Sequence, residues 1–289
     1  MARRSSRVVV AGLVMLALAG SACAKTRTTV RESPSPSPSF TTLAQGTLKV
    51  GSDIPYPPFE YKDKSDKLVG FDVDLMEAIA AKLGLTVEWV TSNFDTIFTS
   101  LAADKFDAVV SAVTAYAPQG SPAYDVVTKR RELVSFATAY YSSLQSLTVN
   151  AKRTPALATT DGLKSGDRVG VQNGTTGKFW ADANLKPKGI QIVGYVKAPT
   201  MFDALEAGQL VGVVNDLPVS LEAIKSKSDL KVTQQIETGE QYGIAIAKSN
   251  PGLLAAVNAA LDEMFADGSY ATIFTKYFPD QQLPSYAKK

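Results

Sequence analysis

Beyond residue 45 the chain alternates short apolar runs with amphipathic stretches, and that alternation predicts its elements. Leu48-Lys-Val-Gly-Ser52 reads as a strand ending at Asp53, and Pro55, Pro57 and Pro58 then forbid regular structure. Val73, Met76, Ile79, Ala80 and Leu83 recur at helical spacing after Asp72, which can cap that helix, and Gly84 supplies its stop. A strand over Thr86–Val90, a helix over Asp95–Ala103 and a strand over Asp107–Val113 complete a β-α-β-α-β order. Such an order argues for a parallel sheet with crossover helices, whose ligand site lies beyond the carboxyl ends of the strands. A second alternation follows Leu147. Strands are expected at Val169–Gln172, Ile190–Tyr195, Val211–Asn215 and Lys231–Ile236, with helices near Lys178–Asn184, Thr200–Ala207 and Pro218–Ser226. The C-terminal part is helical: Asn250 caps, Pro251 takes the first-turn position it tolerates, and Leu254, Val257, Leu261 and Met264 form one apolar stripe. Two α/β lobes are therefore expected.

The N-terminus has a different pattern. Arg3, Arg4 and Arg7 form a positive region, Val8 to Ala19 an apolar core short for a membrane span, and Gly20-Ser21-Ala22 a small-residue cleavage site. Residues 1–22 read as an export signal. Residues 23–45 carry the run Ser33-Pro-Ser-Pro-Ser-Pro-Ser39, which cannot bury a core and reads as an extended tether. Cys23 is the only cysteine, so no disulfide within the chain and no Cys-rich zinc site is possible. Its place after the cleavage site resembles the lipobox of bacterial lipoproteins, with Gly20 where leucine is usual, and a lipid anchor on Cys23 is expected.

Charge alters the picture once the signal is set aside. The formal charge of the whole chain is +2, and removal of residues 1–22 takes away three arginines and no acid, leaving −1. The folded part thus lacks the basic surplus expected of a nucleic-acid binder. The chain contains no histidine, which removes Ser-His-Asp and Cys-His nucleophile schemes and His-ligated metal sites together. No cofactor or metal and no membrane span in the mature chain are expected.

The stretch Gly170-Val-Gln-Asn-Gly-Thr-Thr-Gly-Lys178 carries the first hint of chemistry. A buried-strand pattern runs into a Gly- and Thr-rich turn and then into a helix, so backbone N–H groups at the helix start can face an anion. A nucleotide P-loop is excluded: it requires glycine where the chain has Gln172, and Ser or Thr where it has Phe179. A small anion such as a carboxylate fits better. Arg130 or Arg131 could grip the same group bidentately, while Asp216 could accept from an ammonium, a combination that fits a zwitterion.

Seven segments then appear in a fixed order: Asp53-x-x-Tyr56-x-Pro-Phe59, Gly70-Phe-Asp-Val-Asp-Leu75, Phe94-Asp95, Val109-Val-Ser-Ala-Val-Thr114, Asn173-Gly-Thr-Thr176, Asn215-Asp216 and Gln241-Tyr-Gly-Ile-Ala245. In this order the chain resembles the family 3 solute-binding proteins of bacterial ABC importers, the polar amino-acid binders, over roughly residues 47–280. The resemblance implies a two-lobed periplasmic-binding-protein-like fold of type II, α/β in class, with two α/β sandwich lobes joined by a two-crossing hinge near Tyr140–Ser143 and Gln241–Gly243. Lobe 1 would hold residues 46–141 and 244–289, and lobe 2 residues 142–243. It also implies that Arg130, helped by Thr114 and the Thr175 and Thr176 amides, binds an α-carboxylate, and that Asp216 accepts the ammonium. Tyr56 and Phe94 would sandwich the ligand side chain, and Asp53, Ser111 and Gln172 would read its polar end. Asp72 and Asp74 are read as helix-start charges, and Glu60 and Lys178 are left outside the site.

One departure from the family is the turn-rich insertion Tyr116–Val127, containing Pro118, Gly120 and Pro122, ahead of Lys129-Arg130-Arg131. It would cover the cleft mouth, contact a transporter or be a surface insertion. The expected protein is a lipid-anchored, extracytoplasmic, monomeric receptor. It would take a polar L-amino acid, a basic one or glutamine by preference, and pass it to an ABC permease. The rival readings are a dehydratase of the cyclohexadienyl type on the same fold, with Asp53 or Glu60 as general acid, and a ligand-sensing module.

Overall fold

The computed structural model describes residues 39–287. The signal segment, Cys23 and nearly all of the Ser/Pro run lie outside the described residues. Residues 39–45, at the end of the expected tether, lie against the folded chain: Phe40 packs on the core, Thr41 O accepts from Asn250 Nδ2 at 2.7 Å, and Leu43 N donates to Asp107 at 2.8 Å.

Strand β1 (Thr47–Ser52) is followed by a small hairpin of β2 (Tyr61–Lys62) and β3 (Leu68–Val69), then α1 (Phe71–Lys82) and β4 (Thr86–Thr91). Asp72 does not cap α1. The cap position is Gly70, and Asp72 is buried within the first turn, where its carboxylate accepts from Ala112 N at 2.7 Å and Tyr140 Oη at 3.0 Å. The stop is as expected: Gly84 has φ +70, a conformation that suits glycine after the last helical turn.

Helix α2 (Ile97–Ala102), β5 (Ala108–Val109) and β6 (Thr114–Tyr116) come next. The strand expected over Asp107–Val113 is cut short. Ala112 takes φ +46 while its N–H binds Asp72, so the chain turns and β6 leaves for the other sheet. The second half of the expected turn-rich insertion, from Pro122 on, is the start of helix α3 (Pro122–Leu133). Pro122 sits at its first turn, where the missing N–H costs nothing. Ala123, Val126, Val127 and Arg130 are its buried face, at helical spacing.

Strands β7 (Val134–Phe136) and β8 (Tyr141–Asn150) precede the second alternation: β9 (Arg168–Gln172), α4 (Thr176–Asn184), β10 (Gln191–Tyr195), α5 (Ala198–Glu206), β11 (Gly212–Asp216), α6 (Leu217–Ser226) and β12 (Leu230–Tyr242). The chain closes with β13 (Ala245–Ala247), α7 (Pro251–Asp267) and α8 (Ser269–Tyr277). Asn250 caps α7 by accepting from Leu253 N at 3.1 Å, and Pro251 stands in the first turn, as the sequence predicts.

Two sheets organise these elements into two lobes. The first has the order β4-β1-β5-β13-β7, and the second β10-β9-β11-β8-β12-β6. In the first, β1 runs parallel to β4 and β5 and lies between them; in the second, β9 runs parallel to β10 and β11 and lies between them. The chain therefore reverses its strand order at the carboxyl ends of β1 and β9, the positions where α/β sheets bind ligands. The long antiparallel strands β8 and β12 carry the chain between lobes, pairing Tyr141 with Tyr242 where they meet the first lobe. An aromatic nest holds that junction. The Tyr141 ring lies 5.3 Å from Phe59, 5.4 Å from Tyr242 and 4.9 Å from Phe278, which brings the end of α8 onto the crossing strands.

Candidate functional site

Both switch points open on one small cavity. Its walls contain all ten residues singled out from sequence, Asp53, Tyr56, Phe94, Ser111, Thr114, Arg130, Gln172, Thr175, Thr176 and Asp216, with Ala112 added. Asp53 follows β1, Ser111 follows β5, Gln172 ends β9, and Asp216 ends β11.

Helix α4 begins at the cavity. Thr175 caps it, accepting from Lys178 N at 3.2 Å while donating to Gln172 O at 2.8 Å. Gly174 has φ +76, and a Cβ there would lie 2.9 Å from Asp95 Cα in the first lobe, so only glycine permits the lobes to close this far. Arg130 lies beside this turn. Its guanidinium donates to Thr114 O at 2.8 Å and Gly174 O at 3.0 Å, and its carbon stands 5.3 Å and 4.9 Å from the ring centres of Phe94 and Phe98. Burial lowers its pKa to about 10, still a cation at neutral pH. Arg131 points elsewhere: it donates to Ala115 O and stacks 4.7 Å from Tyr116. The helix register of α3 thus puts Arg130, not Arg131, on the cavity.

Asp216 is buried and takes neutral donors, Tyr56 Oη at 2.7 Å and Gln145 Nε2 at 2.5 Å. Burial first, then the nearby Glu240 charge, raises its pKa to about 6. Asp53 is also buried. It accepts from Gln172 Nε2 at 2.6 Å and from Lys197 Nζ, and its own N–H donates to Ser111 Oγ at 3.0 Å. Burial raises the Asp53 pKa, and Lys197 opposes the rise. Ser111 donates in turn to the fully buried Glu60, whose pKa burial and the Asp72 charge push up strongly.

Three participants escaped the sequence reading, Lys197, Glu240 and Gln145, while Glu60, left outside the site on sequence, joins its network through Ser111. Glu240 is 1% exposed, accepts from Thr114 Oγ1 at 2.7 Å and Thr176 Oγ1 at 2.6 Å, and so ties the two threonines together beneath Arg130. It adjoins the Gln241-Tyr-Gly segment, the one signal that could have flagged it. Lys197 had a signal as well, since a lysine just ahead of a helix is opposed by the helix dipole and needs a reason. Lys178 pairs with Asp182 at 2.5 Å on the outer face of α4. Among the described residues no group of three or more His, Cys, Asp or Glu could hold a metal ion, and no helix is long and apolar enough to cross a membrane.

A cleft closed between two lobes, with a guanidinium and a helix start at one wall and buried carboxylates at others, defines a two-lobed receptor for a small polar solute. The model of the bacterial extracellular solute-binding proteins, family 3, matches residues 48–280, and the chain belongs to that family. The lysine/arginine/ornithine-binding periplasmic protein of Escherichia coli (strain K12) is 30% identical over 240 residues, which cover 80% of this chain and 87% of that protein. An ancestral arginine-binding protein bound to arginine superposes with a TM-score of 0.71 at 34% identity, covering 81% of this chain and 99% of the other. An ancestral arginine-binding protein bound to glutamine gives 0.69 at 34% identity, covering 82% and 100%.

Proposed function

We propose that this chain captures a polar L-amino acid between its lobes and delivers it to an ABC permease. The observation that carries this reading is that one cavity is lined both by Arg130 with the start of α4 and by Asp216, opposite charges suited to the two ends of a zwitterion. Arg130 takes the α-carboxylate, with the Thr114 hydroxyl and the Thr175 and Thr176 amides beside it. Asp216 accepts the ammonium. Tyr56 and Phe94 flank the side chain, and Asp53, Ser111 and Gln172 meet its polar end. A basic residue or glutamine fits a carboxylate set among aromatics.

No reaction is assigned to the site. The protein relatives and structural neighbours are named for binding, and the dehydratase alternative is not favoured. Cys23, outside the described residues, is the lipid-bearing residue in this reading, holding a monomeric receptor at the outer face of the membrane. Titration calorimetry of the domain from residue 39 onward against the free amino acids tests the proposal. Saturable binding of a polar L-amino acid with no product formed is the expected result, and a folded sample that binds none refutes it.

A further inference from the structure

Lys197 stands at the start of α5 in the second lobe, and its ammonium is held by three oxygens of the first: a carboxylate oxygen of Asp53, Ile54 O at 3.3 Å and Ser92 O at 3.5 Å. The other Asp53 oxygen accepts from Gln172 Nε2 at 2.6 Å. Asp53 is 2% exposed, and the Lys197 side chain only 24%. One carboxylate of the cavity therefore carries its own counter-charge, whereas the other, Asp216, is bound by the neutral groups of Tyr56 and Gln145. The two acids are prepared for different partners.

Resting on the amino-acid reading above, we propose that the Asp53–Lys197 pair selects a neutral side chain ending in a carboxamide or ureido group over a cationic one. A guanidinium or ammonium arriving at Asp53 meets a carboxylate already matched in charge and sets itself beside a second cation. A carboxamide or urea suits the pair: its N–H donates to the carboxylate, and it brings no second positive charge beside the ammonium. Like charges forced together in a buried site weaken association by on the order of a hundredfold. The geometry thus narrows the choice between basic residue and glutamine to the uncharged side.

L-Arginine and L-citrulline isolate this effect, because their side chains are nearly equal in size and differ in the charge of the terminal group. Calorimetry on the wild-type domain should show citrulline and glutamine binding at least about tenfold more tightly than arginine and lysine. Lys197→Met keeps the length of the side chain and removes its charge, and should reverse that order by tightening arginine and lysine relative to citrulline and glutamine. A circular-dichroism melt establishes that the variant is folded. Wild-type protein that binds arginine more tightly than citrulline overturns the proposal whatever the variant does. A variant that loses all ligands by one common factor makes Lys197 a clasp between lobes and overturns it as well. Wild-type protein that binds no amino acid overturns the underlying functional reading, and this proposal with it.

Discussion

Arg130→Ala is the most informative perturbation, because the structure separates its effect on the ligand from its effect on the fold. Arg130 is 4% exposed, and its guanidinium spends two of its N–H groups on Thr114 O and Gly174 O. The remaining donors are what a ligand carboxylate would use. Truncation leaves that carboxylate in a dehydrated cleft without its cation, at a cost of about 2–5 kcal/mol. This converts to about 30-fold to several thousandfold in affinity. The two abandoned carbonyls cost the fold about 1–3 kcal/mol at most each. Relief of the burial that lowers the arginine pKa offsets part of this, so the domain should stay folded but melt at a lower temperature. Arg131→Ala is the comparison: its contacts are Ala115 O and the Tyr116 ring, away from the cavity, and it should change affinity by less than about threefold. Calorimetry with the preferred amino acid measures both. Arg130→Ala binding as tightly as wild type, or Arg131→Ala losing as much, would refute the assignment.

Three further predictions follow from the same geometry and the N-terminal sequence. Asp216 has a folded pKa raised to about 6 from an ordinary 3.8, so its contribution to stability is full below 3.8 and is lost as the pH rises through 6. Ligand ammonium needs the ionised form, so affinity should fall as pH drops below 6 in a calorimetric series, and Asp216→Asn should bind weakly at every pH. Gly174→Ala places a Cβ at φ +76 and 2.9 Å from Asp95 Cα across the cleft, so it should weaken binding by about tenfold or more while small-angle scattering shows a more open domain. Cys23→Ser should move the protein from the membrane fraction to the soluble fraction, and an unaltered distribution would remove the lipid anchor from the picture.

The strand ends were legible because they depend on local pattern: apolar runs stopping at Asp53, Gln172 and Asp216 mark where β1, β9 and β11 finish. The resemblance pointed to Arg130, but the local pattern left Arg131 open, because the choice turns on whether residues after Pro122 form a loop or a helix. Proline and glycine signal both a turn and a helix start, and only packing of Ala123, Val126 and Val127 decides for the helix and so for Arg130. The truncated third strand has a tertiary cause too, since the carboxylate that captures Ala112 N comes from Asp72, 40 positions earlier. Lys197 and Asp53 are 144 positions apart, and no periodicity in either neighbourhood reports the pairing. Motif order could reveal the positions that touch a ligand, but not the charges that tune those positions.

The contacts that close the lobes around the cavity include several polar or charged ones: Tyr56 to Asp216, Gln172 and Lys197 to Asp53, and Arg130 to Gly174 O. Each exchanges hydration for a protein partner, so each contributes little net energy. The raised pKa values of Asp53 and Asp216 are the mark of that dehydration. Closure by such contacts is therefore near balance, and a ligand can control it only through what it binds better in the closed form. Moving a two-state equilibrium from 1:99 to 99:1 takes about 5.5 kcal/mol of differential affinity. One buried charge contact supplies about 2–5 kcal/mol, which is insufficient alone. On the proposed reading, a carboxylate at Arg130 and an ammonium at Asp216 would together supply about 4–10 kcal/mol, a range that reaches the requirement where one contact falls short. A solute bearing only one of the two charges would occupy the cleft without commanding it, so the pair of opposite charges ties closure to the amino-acid class.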